Sequence, residues 1–298
     1  ADYIQHLARA YEREQSPAAK DAMAQILTNS KMAAYGHRPI CQDTGIATVF
    51  LKVGMNVQWD AKMSVAEMVN EGVRRAYTWP DNTLRASVLA DPAGKRTNTK
   101  DNTPAVIHME IVAGDKVEVT CAAKGGGSEN KSKLAMLNPS DNIADWVLKT
   151  IPTMGAGWCP PGILGIGIGG TPEKAVLMAK ESLMSHVDIH ELKEKAASGA
   201  ELSTVEALRL ELFEKVNALG IGAQGLGGLT TVLDVKILDY PTHAASKPIA
   251  MIPNCAATRH VEFELDGSGP VALTPPSLDN WPDITYNPEQ GKRVNVDE

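Results

Sequence analysis

The sequence predicts a mixed α/β or α+β fold, in which mixed β-sheets are surrounded by helices. Capped helical patterns alternate with short strand patterns along the chain, and this alternation is typical of sheets covered by helices. Ser64-Val-Ala-Glu67 is a capping box that opens a helix to about residue 77, and residues 46–53 form an apolar run typical of a buried strand. Residues 105–112 and 116–123 flank Ala113-Gly-Asp115, and this arrangement predicts a β-hairpin.

The other elements are predicted from the same patterns, taken in chain order. Ser16-Pro17 supplies an N-cap and a proline at the first helical position, which separates two N-terminal helices. Residues 186–199 are charged and weakly apolar, so we expect a surface excursion there, with His186 and His190 in solvent and His6 at the surface as well. Helices are predicted over residues 3–11, 18–35, 141–149, 171–184 and from 203 onward, and strands over 163–168, 230–238, 249–252 and 261–265.

The length of 298 residues allows one large domain or two modest ones. We expect residues 1–268 to form the functional body. Residues 269–298 contain Pro275-Pro276, Pro282 and Pro288 in a polar setting, which predicts a linker or arm. No signal-peptide pattern opens the chain, and its start without Met suggests processing or a fragment.

Composition excludes several classes of partner. The net charge of −7 and the pI near 5.6 argue against nucleic acid or an anionic membrane surface. The longest apolar runs are broken by glycine and are too short to cross a bilayer. Four cysteines in a chain of this size do not make a disulfide scaffold, so we expect a reducing compartment, the cytoplasm or an organelle matrix.

Three of the cysteines lie in turns next to proline or tight polar residues. They are Cys41 in Arg38-Pro-Ile-Cys-Gln-Asp-Thr-Gly45, Cys159 before Pro160-Pro161, and Cys255 after Pro253-Asn254. If the fold brings them together, three thiolates would leave one corner of an iron–sulfur cube open to a ligand. Taken singly, each cysteine is more often a buried and inert residue, and Cys121, inside a predicted strand, fits that description.

Glycine-rich segments have two interpretations each. Lys124-Gly-Gly-Gly-Ser-Glu-Asn-Lys131 follows a strand and could bring backbone amides close to an anion, or could be a flexible loop. Gly165-Ile-Gly-Ile-Gly-Gly170 and Gly220-Ile-Gly-Ala-Gln-Gly225 match a dinucleotide pattern, but close backbone packing or an anion-binding helix start at Thr171 explains the first better.

Among the other polar residues, His243 follows a predicted strand end and is the best catalytic candidate of the seven histidines. Arg38 and Arg85 are candidate forks for a carboxylate, although on local pattern either could be an ordinary surface arginine.

Taken together, these segments resemble the N-terminal domain of the class I, iron–sulfur-dependent fumarases. The cysteine turns and the triple-glycine segment occur in family order over nearly the whole chain, up to the proline-rich tail. The related tartrate dehydratase α subunit shares the cysteine framework. The motifs that carry the resemblance are Pro39-Ile-Cys-Gln-Asp-Thr-Gly45, Lys124-Gly-Gly-Gly-Ser-Glu-Asn-Lys131, Cys159-Pro-Pro161, Gly169-Gly-Thr-Pro-Glu173, Gly220-Ile-Gly-Ala-Gln-Gly225 and Pro253-Asn-Cys255.

The resemblance implies a hydro-lyase of the tricarboxylic acid cycle that hydrates fumarate reversibly to L-malate. It implies a [4Fe–4S] cluster on Cys41, Cys159 and Cys255, whose iron without a thiolate acts as a Lewis acid. It also implies that Asp43 orients the reacting hydroxyl, that Arg85 binds a carboxylate and that His243 hydrogen-bonds near the substrate. The implied substrate-binding residues are Gln42, Asp43, Arg85, Gly125, Gly126, Gly127 and His243.

The resemblance also implies partners. Family members carry a further C-terminal domain or a β subunit, and nothing after Gly267 resembles it, so we expect little activity from this chain alone. A homodimer is implied as well. Three alternatives stay open: a dehydratase of tartrate or another hydroxy-dicarboxylate, an NAD-binding oxidoreductase, and an assembly subunit with inert cysteines.

Overall fold

The computed structural model describes residues 2–81 and 84–273. The helices are α1 (Asp2–Arg13), α2 (Pro17–Gly36), α3 (Val65–Tyr77), α4 (Gly126–Glu129), α5 (Ile143–Thr150), α6 (Pro172–Ser182), α7 (Ile189–Ala197) and α8 (Thr204–Ala218), with short 3-10 turns at Ile151–Met154 and Ala223–Gly225. The strands are β1 (Ile46–Gly54), β2 (Leu89–Ala90), β3 (Thr97–Asn98), β4 (Val106–Val112), β5 (Val117–Lys124), β6 (Lys133–Leu137), β7 (Gly162–Gly169), β8 (Val232–Tyr240), β9 (Lys247–Asn254) and β10 (His260–Leu265). The mixed helix-and-sheet fold is confirmed.

The described chain folds as two compact units. Unit 1 comprises residues 2–37 and 127–256, and unit 2 comprises residues 38–81, 84–126 and 257–273. The predicted body over residues 1–268 and the predicted arm over 269–298 stay predictions, because residues 274–298 lie outside the described residues. Within the described residues, no helix is both long and apolar enough to span a bilayer.

Unit 1 is built on a four-stranded sheet in the order β6-β9-β7-β8. Strand β9 runs antiparallel to β6 and β7, whereas β7 and β8 are parallel. Helices α5 and α8 pack their apolar residues against this sheet, and Trp158 is fully buried in the same core. Strand β6, a short segment in which Lys133 is followed by four apolar residues, was missed by the sequence prediction.

Glycine at alternate positions of β7 allows α6 to pack directly on the strand. A Cβ atom on Gly165 would lie 2.2 Å from the carbonyl oxygen of Ala179, and one on Gly167 would lie 1.9 Å from that of Ala175. Both distances are far below van der Waals contact, so only glycine fits. The packing interpretation of this glycine-rich segment is therefore confirmed.

Unit 2 is built on a second four-stranded sheet, in the order β10-β5-β1-β4. The predicted hairpin is wrong, because β4 and β5 do not pair with each other. Strand β1 lies between them, parallel to β4 and antiparallel to β5. Alternation within each segment predicts a strand but does not name its partner. Since β1 is buried along almost its whole length, it takes the central place and pairs on both edges.

Helix starts follow the predicted caps. The Ser64 hydroxyl accepts a hydrogen bond from the Glu67 amide, and the Glu67 carboxylate accepts one from the Ser64 amide, which completes the capping box of α3. Ser16 is the N-cap of α2, as predicted, and its hydroxyl accepts a hydrogen bond from the Ala19 amide. The charged stretch after His186 is partly ordered as α7, which buries Ile189 and Leu192, so it is more than a solvated excursion.

Candidate active site

Two of the three predicted cysteine ligands lie side by side in unit 1. Cys159 precedes β7 and Cys255 follows β9, and these antiparallel strands place Ile163 opposite Asn254. The backbone amide of Ala256 donates a hydrogen bond to the carbonyl of Cys159 at 3.0 Å. Sheet pairing and this hydrogen bond therefore bring two turns together that are separated by nearly one hundred residues in sequence.

The turn at Cys159 has an unusual backbone conformation. Its φ is +56°, in the left-handed region that residues with a side chain seldom adopt. The turn is fixed by the buried Trp158 and by a hydrogen bond of 3.0 Å from the Tyr3 hydroxyl to the carbonyl of Pro161. Burial raises the pKa of Tyr3, and the charge of Cys255 raises it further, so the hydroxyl stays a donor. The Cys159 side chain is exposed, as a ligand-binding thiol requires.

The third predicted ligand, Cys41, lies in unit 2, just before the turn at Asp43. One carboxylate oxygen of Asp43 accepts a hydrogen bond from the Gly45 amide at 2.9 Å, and the other accepts one from the Gly126 amide at 2.7 Å. Asp43 therefore joins two predicted motifs, the cysteine turn and the triple-glycine segment. Each oxygen keeps a second lone pair with which it can accept a bond from a ligand.

Gln42 and Arg85 are also brought together in unit 2. The Arg85 guanidinium donates a hydrogen bond of 2.6 Å to the side-chain oxygen of Gln42, and both side chains are exposed. The hydroxyl of Thr44 donates to the carbonyl of Arg85, which attaches the arginine segment to the cysteine turn. The Arg85 fork is thus attached to the residues on either side of Asp43 in sequence, Gln42 and Thr44. Arg38 is exposed as well.

Arg259 is a residue of this site that the sequence analysis did not select. Its guanidinium donates to the carbonyl of Asp43 at 2.6 Å and to the carbonyl of Ala123 at 3.0 Å. A Cβ atom on Gly125 would lie 3.2 Å from the Arg259 guanidinium and 3.3 Å from the Asp43 carboxylate. The only sequence signal was its place four residues after Cys255, and its partners are distant in sequence.

The three glycines of the predicted loop are divided between the units. Gly125 and Gly126 belong to unit 2, where Gly126 donates its amide to Asp43. Gly127 belongs to unit 1, where a Cβ atom would lie 2.9 Å from the carbonyl of Gly157, two residues before Cys159. The segment opens the short helix α4, so it is ordered rather than a featureless loop.

The structure does not bring His243 to the cysteine pair of its own unit. Strand β7 starts beside Cys159 and ends beside Tyr240, and His243 follows three residues later. The eight residues of β7 span about 23 Å, so His243 and Cys159 lie at opposite ends of the sheet. The Nδ1 atom of His243 accepts a hydrogen bond from the Ala245 amide, which leaves Nε2 as the nitrogen that a ligand would meet.

The cysteine thiols differ in their surroundings. All four cysteines are thiols, and three lie in turns, whereas burial raises the pKa of Cys121 within β5 and disfavours its thiolate. Within residues 2–81 and 84–273, no three His, Cys, Asp or Glu side chains are grouped to hold a metal ion. Ligation by all three thiolates therefore stays a prediction.

Comparison with known proteins shows the family. The model of the fumarate hydratase (Fumerase) family matches residues 1–264, and the chain belongs to this family of hydro-lyases. The resemblance inferred from the cysteine and glycine motifs is thus confirmed.

Individual relatives divide into two kinds. The chain is 38% identical over 260 residues to the putative L(+)-tartrate dehydratase subunit alpha of Methanocaldococcus jannaschii, covering 85% of this chain and 87% of that protein. It is 33% identical over 264 residues to the anaerobic class I fumarate hydratase of Escherichia coli K12, covering 87% of this chain and 47% of that protein. A tartrate dehydratase subunit alpha of E. coli UTI89 is 27% identical, with 87% and 82% covered. The chain thus spans about half the length of the fumarate hydratases it matches.

Proposed function

We propose that this chain is the cluster-binding part of an iron–sulfur hydro-lyase that adds water reversibly to fumarate and forms L-malate. The observation that carries the proposal is the pairing of the Cys159 and Cys255 turns in a member of the fumarate hydratase family. Both thiols lie at adjacent strand ends, Cys159 exposed and Cys255 partly buried, which supports a role as ligands rather than as packing residues.

Under this proposal, Cys41, Cys159 and Cys255 hold a [4Fe–4S] cluster. Such a cluster, bound by three thiolates, supplies a Lewis-acidic iron that polarises an oxygen of the substrate. The proposed ligand set excludes Cys121, whose thiolate is disfavoured by burial.

The residues around Asp43 would bind and orient the dicarboxylate. Arg85 offers a planar fork that matches a carboxylate, and its contact with Gln42 limits the orientations of the guanidinium. Asp43 is held by two backbone amides and by Arg259, so its carboxylate can orient a hydroxyl without reorganising during the reaction. Gly125 and Gly126 keep space open next to this carboxylate, because a Cβ atom on Gly125 would crowd both charged groups.

Under this proposal, His243 would contact substrate only in the active site of another copy of the chain. The length of β7 separates it from the cysteine pair of its own unit, so a substrate held near that pair would be out of its reach. The homodimer that the family resemblance implies would supply such a copy.

A tartrate dehydratase is the second candidate function. The match to a putative L(+)-tartrate dehydratase subunit alpha covers 87% of that protein, whereas the match to the anaerobic class I fumarate hydratase covers 47% of that protein. If the chain is a tartrate dehydratase α subunit, it would act with a β subunit. If it is the N-terminal part of a fumarate hydratase, a C-terminal domain would take the place of that subunit. In either case we expect the active enzyme to contain this partner and to work in the cytoplasm or an organelle matrix, with fumarate hydration serving the tricarboxylic acid cycle.

The decisive experiment measures iron and sulfide in anaerobically purified chain. We expect about four irons and four sulfides per chain in the wild type, and a large loss of both in Cys159→Ser. Cys121→Ser is the matched control, because that thiol lies within β5, and it should leave the iron content unchanged. Unchanged iron in Cys159→Ser would overturn the proposal and favour inert cysteines.

The substrate is decided by turnover measured with and without the partner subunit or domain. Fumarate, L-malate and L(+)-tartrate are offered separately to the cluster-loaded protein. We expect hydration of fumarate only when the partner is present; turnover of tartrate alone would favour the second candidate. Full activity from the 298-residue chain by itself would contradict the need for a partner.

A further inference from the structure

We propose that unit 1 carries a second ligand site, separate from the cysteine pair, that binds a small oxyanion with two or more negative charges. The site is a cavity of about 250 Å³ between α1, α7, α8 and the start of β8. Ligand pockets for larger molecules commonly exceed about 300 Å³, so this volume suits a small anion. The inference does not rest on the proposed hydro-lyase activity.

Basic side chains from two helices line this cavity. On α1, His6, Arg9 and Arg13 are spaced by three and four residues and therefore lie on one face. On α7, His190 and Lys193 are three residues apart and face the same cavity. Three permanent positive charges, on Arg9, Arg13 and Lys193, thus line one cavity in a chain whose net charge is −7.

One acidic residue lines the cavity as well. The Glu214 carboxylate lies 3.5 Å from the Lys193 ammonium, but Glu214 is largely exposed, so this pair is weak. Lys193 is also held over the Phe213 ring, with its ammonium 4.5 Å from the ring centroid. The lysine is therefore positioned at the cavity wall, and because its pair with the largely exposed Glu214 is weak, a multivalent anion can compete for it.

Two imidazole side chains, His6 and His190, line the cavity. The rings of His6 and His190 are stacked, with centroids 4.9 Å apart and an angle of 14° between the planes. His6 is only 6% exposed, which corrects the prediction that it lies at the surface, and its Nδ1 has no hydrogen-bond partner among the described residues. A buried imidazole nitrogen without a partner is uncommon in folded proteins. An oxyanion in the cavity would provide the acceptor that the His6 ring lacks.

Burial, followed by neighbouring positive charge, favours the neutral form of both imidazoles when no anion is bound. Burial lowers the pKa of His6, and Arg9 lowers it further. Burial also lowers the pKa of His190, with added repulsion from His6, Arg9, Lys193 and Arg13. Bound negative charge would oppose that repulsion and favour protonation of the rings. The charged groups near the pair are Asp2, Arg9 and Arg13 on α1, Glu191 and Lys193 on α7, Glu214 on α8, and Asp234 on β8.

A partly buried ion network holds the start of α7, the helix that carries His190 and Lys193. Asp188, immediately before α7, accepts hydrogen bonds from Lys236 at 2.6 Å and from Arg209. The fully buried Asp234 accepts from the Asp188 amide at 2.9 Å and from Arg209 at 3.1 Å. This network attaches the start of α7 to β8 and α8, so the basic residues of α7 are held in place before any ligand arrives.

The test is calorimetric titration of the full chain with sulfate and, separately, with succinate, at constant ionic strength. Chloride and acetate serve as monovalent controls. We expect sulfate or succinate to bind with a Kd of about 1 mM or below, and chloride and acetate not to compete. Tighter binding of sulfate would identify phosphate-like ligands, and tighter binding of succinate would identify dicarboxylates.

Variants decide whether this cavity is the site. Arg13→Gln and Lys193→Gln should each weaken binding by about tenfold, equivalent to about 1.4 kcal/mol, and the double variant should lose it. Lys20→Gln is the matched control, since Lys20 lies on α2 over the Tyr11 ring and does not line the cavity. If the double variant binds as the wild type does, or Lys20→Gln loses binding equally, or neither anion binds the wild type, the proposal is overturned.

A pH series gives an independent readout. Because sulfate keeps its charge from pH 7.5 to 5.5, any change in its affinity over this range reflects a change in the protonation of the protein. We expect tighter binding at the lower pH, as bound sulfate draws protons onto His6 and His190, and the histidine NMR signals should show both pKa values rising on binding. Affinity that is independent of pH, with unmoved histidine signals, would contradict an anion at this pair.

Discussion

The Arg259 guanidinium joins three segments of unit 2 that are far apart in sequence. It donates to the carbonyls of Asp43 and Ala123, while its own carbonyl accepts from the Ala123 amide at 3.0 Å. A planar guanidinium with five N–H donors in fixed directions can satisfy two carbonyls at once. The position of the Asp43 carboxylate thus depends on a residue that no local pattern singled out.

Replacing Arg259 with Gln should destabilise unit 2 by about 1–3 kcal/mol, because two partly buried carbonyls lose a charged donor. Arg259→Lys should fall between Gln and the wild type, since one ammonium cannot reproduce both contacts. Urea unfolding followed by circular dichroism measures the change. Arg75→Gln is the control: Arg75 pairs with Glu71 on the surface, with 71% of its side chain exposed, and should change stability by less than about 0.5 kcal/mol. Equal effects of Arg259→Gln and Arg75→Gln would show that Arg259 has no such role.

Element by element, the helices followed from the sequence more closely than the strand partners did. Caps at Ser16, Ser64 and Ser203 are local signals, since the groups that bond lie within three residues of each other. Strand pairing depends on residues far apart in the chain, which explains why β4 and β5 were predicted as a hairpin although β1 separates them. The need for glycine within β7 is likewise explained only by α6, the helix that packs on this strand.

Gly167→Ala should lower the free energy of unfolding by about 3 kcal/mol, because the new Cβ would meet the Ala175 carbonyl at 1.9 Å and force α6 away from β7. Gly72→Ala is the matched control. Gly72 lies in the exposed interior of α3 with no atom near the added methyl, so alanine there should stabilise the protein by about 0.5–1 kcal/mol. Chemical denaturation of the two variants measures both changes. A Gly167→Ala protein as stable as the wild type would contradict the packing argument.

At the scale of the whole molecule, two separate arrangements of charge stand out. Unit 2 carries Asp43, Arg85 and Arg259 around the cysteine turn. Unit 1 carries the basic cavity around His6 and His190, whose pKa values are both lowered, first of all by burial. The net charge of −7 gives no hint of either arrangement, because it averages them with acidic residues elsewhere on the surface.

The lowered pKa values of His6 and His190 predict how stability depends on pH. The unfolded histidines take up protons near pH 6.5, whereas the folded ones do so only at lower pH, so the unfolded state binds more protons in between. The contribution of these residues is therefore fully present above pH 6.5 and is lost as the pH falls through their folded pKa values. Urea unfolding in chloride buffer at pH 7.5, 6.5 and 5.5 should show a decreasing free energy.

His190→Gln should flatten this pH dependence, because it removes one of the two groups that protonate mainly in the unfolded state. His37→Gln, at an exposed position after α2, is the control and should keep the wild-type slope. A His190→Gln protein with an unchanged slope would show that the stacked pair does not set the pH response.

The sequence by itself determined the mixed fold class, the capped helices, the family and the segments that carry the candidate chemistry. These depend on local patterns and on residue strings that can be recognised without coordinates. Only the tertiary structure decided that β1 separates β4 from β5, that Cys159 and Cys255 meet at adjacent strand ends, that Arg259 holds Asp43, and that His243 lies at the far end of β7. The physical reason is that each of these contacts joins residues distant in the chain, and their meeting is fixed by sheet pairing and close packing rather than by the preferences of neighbouring residues.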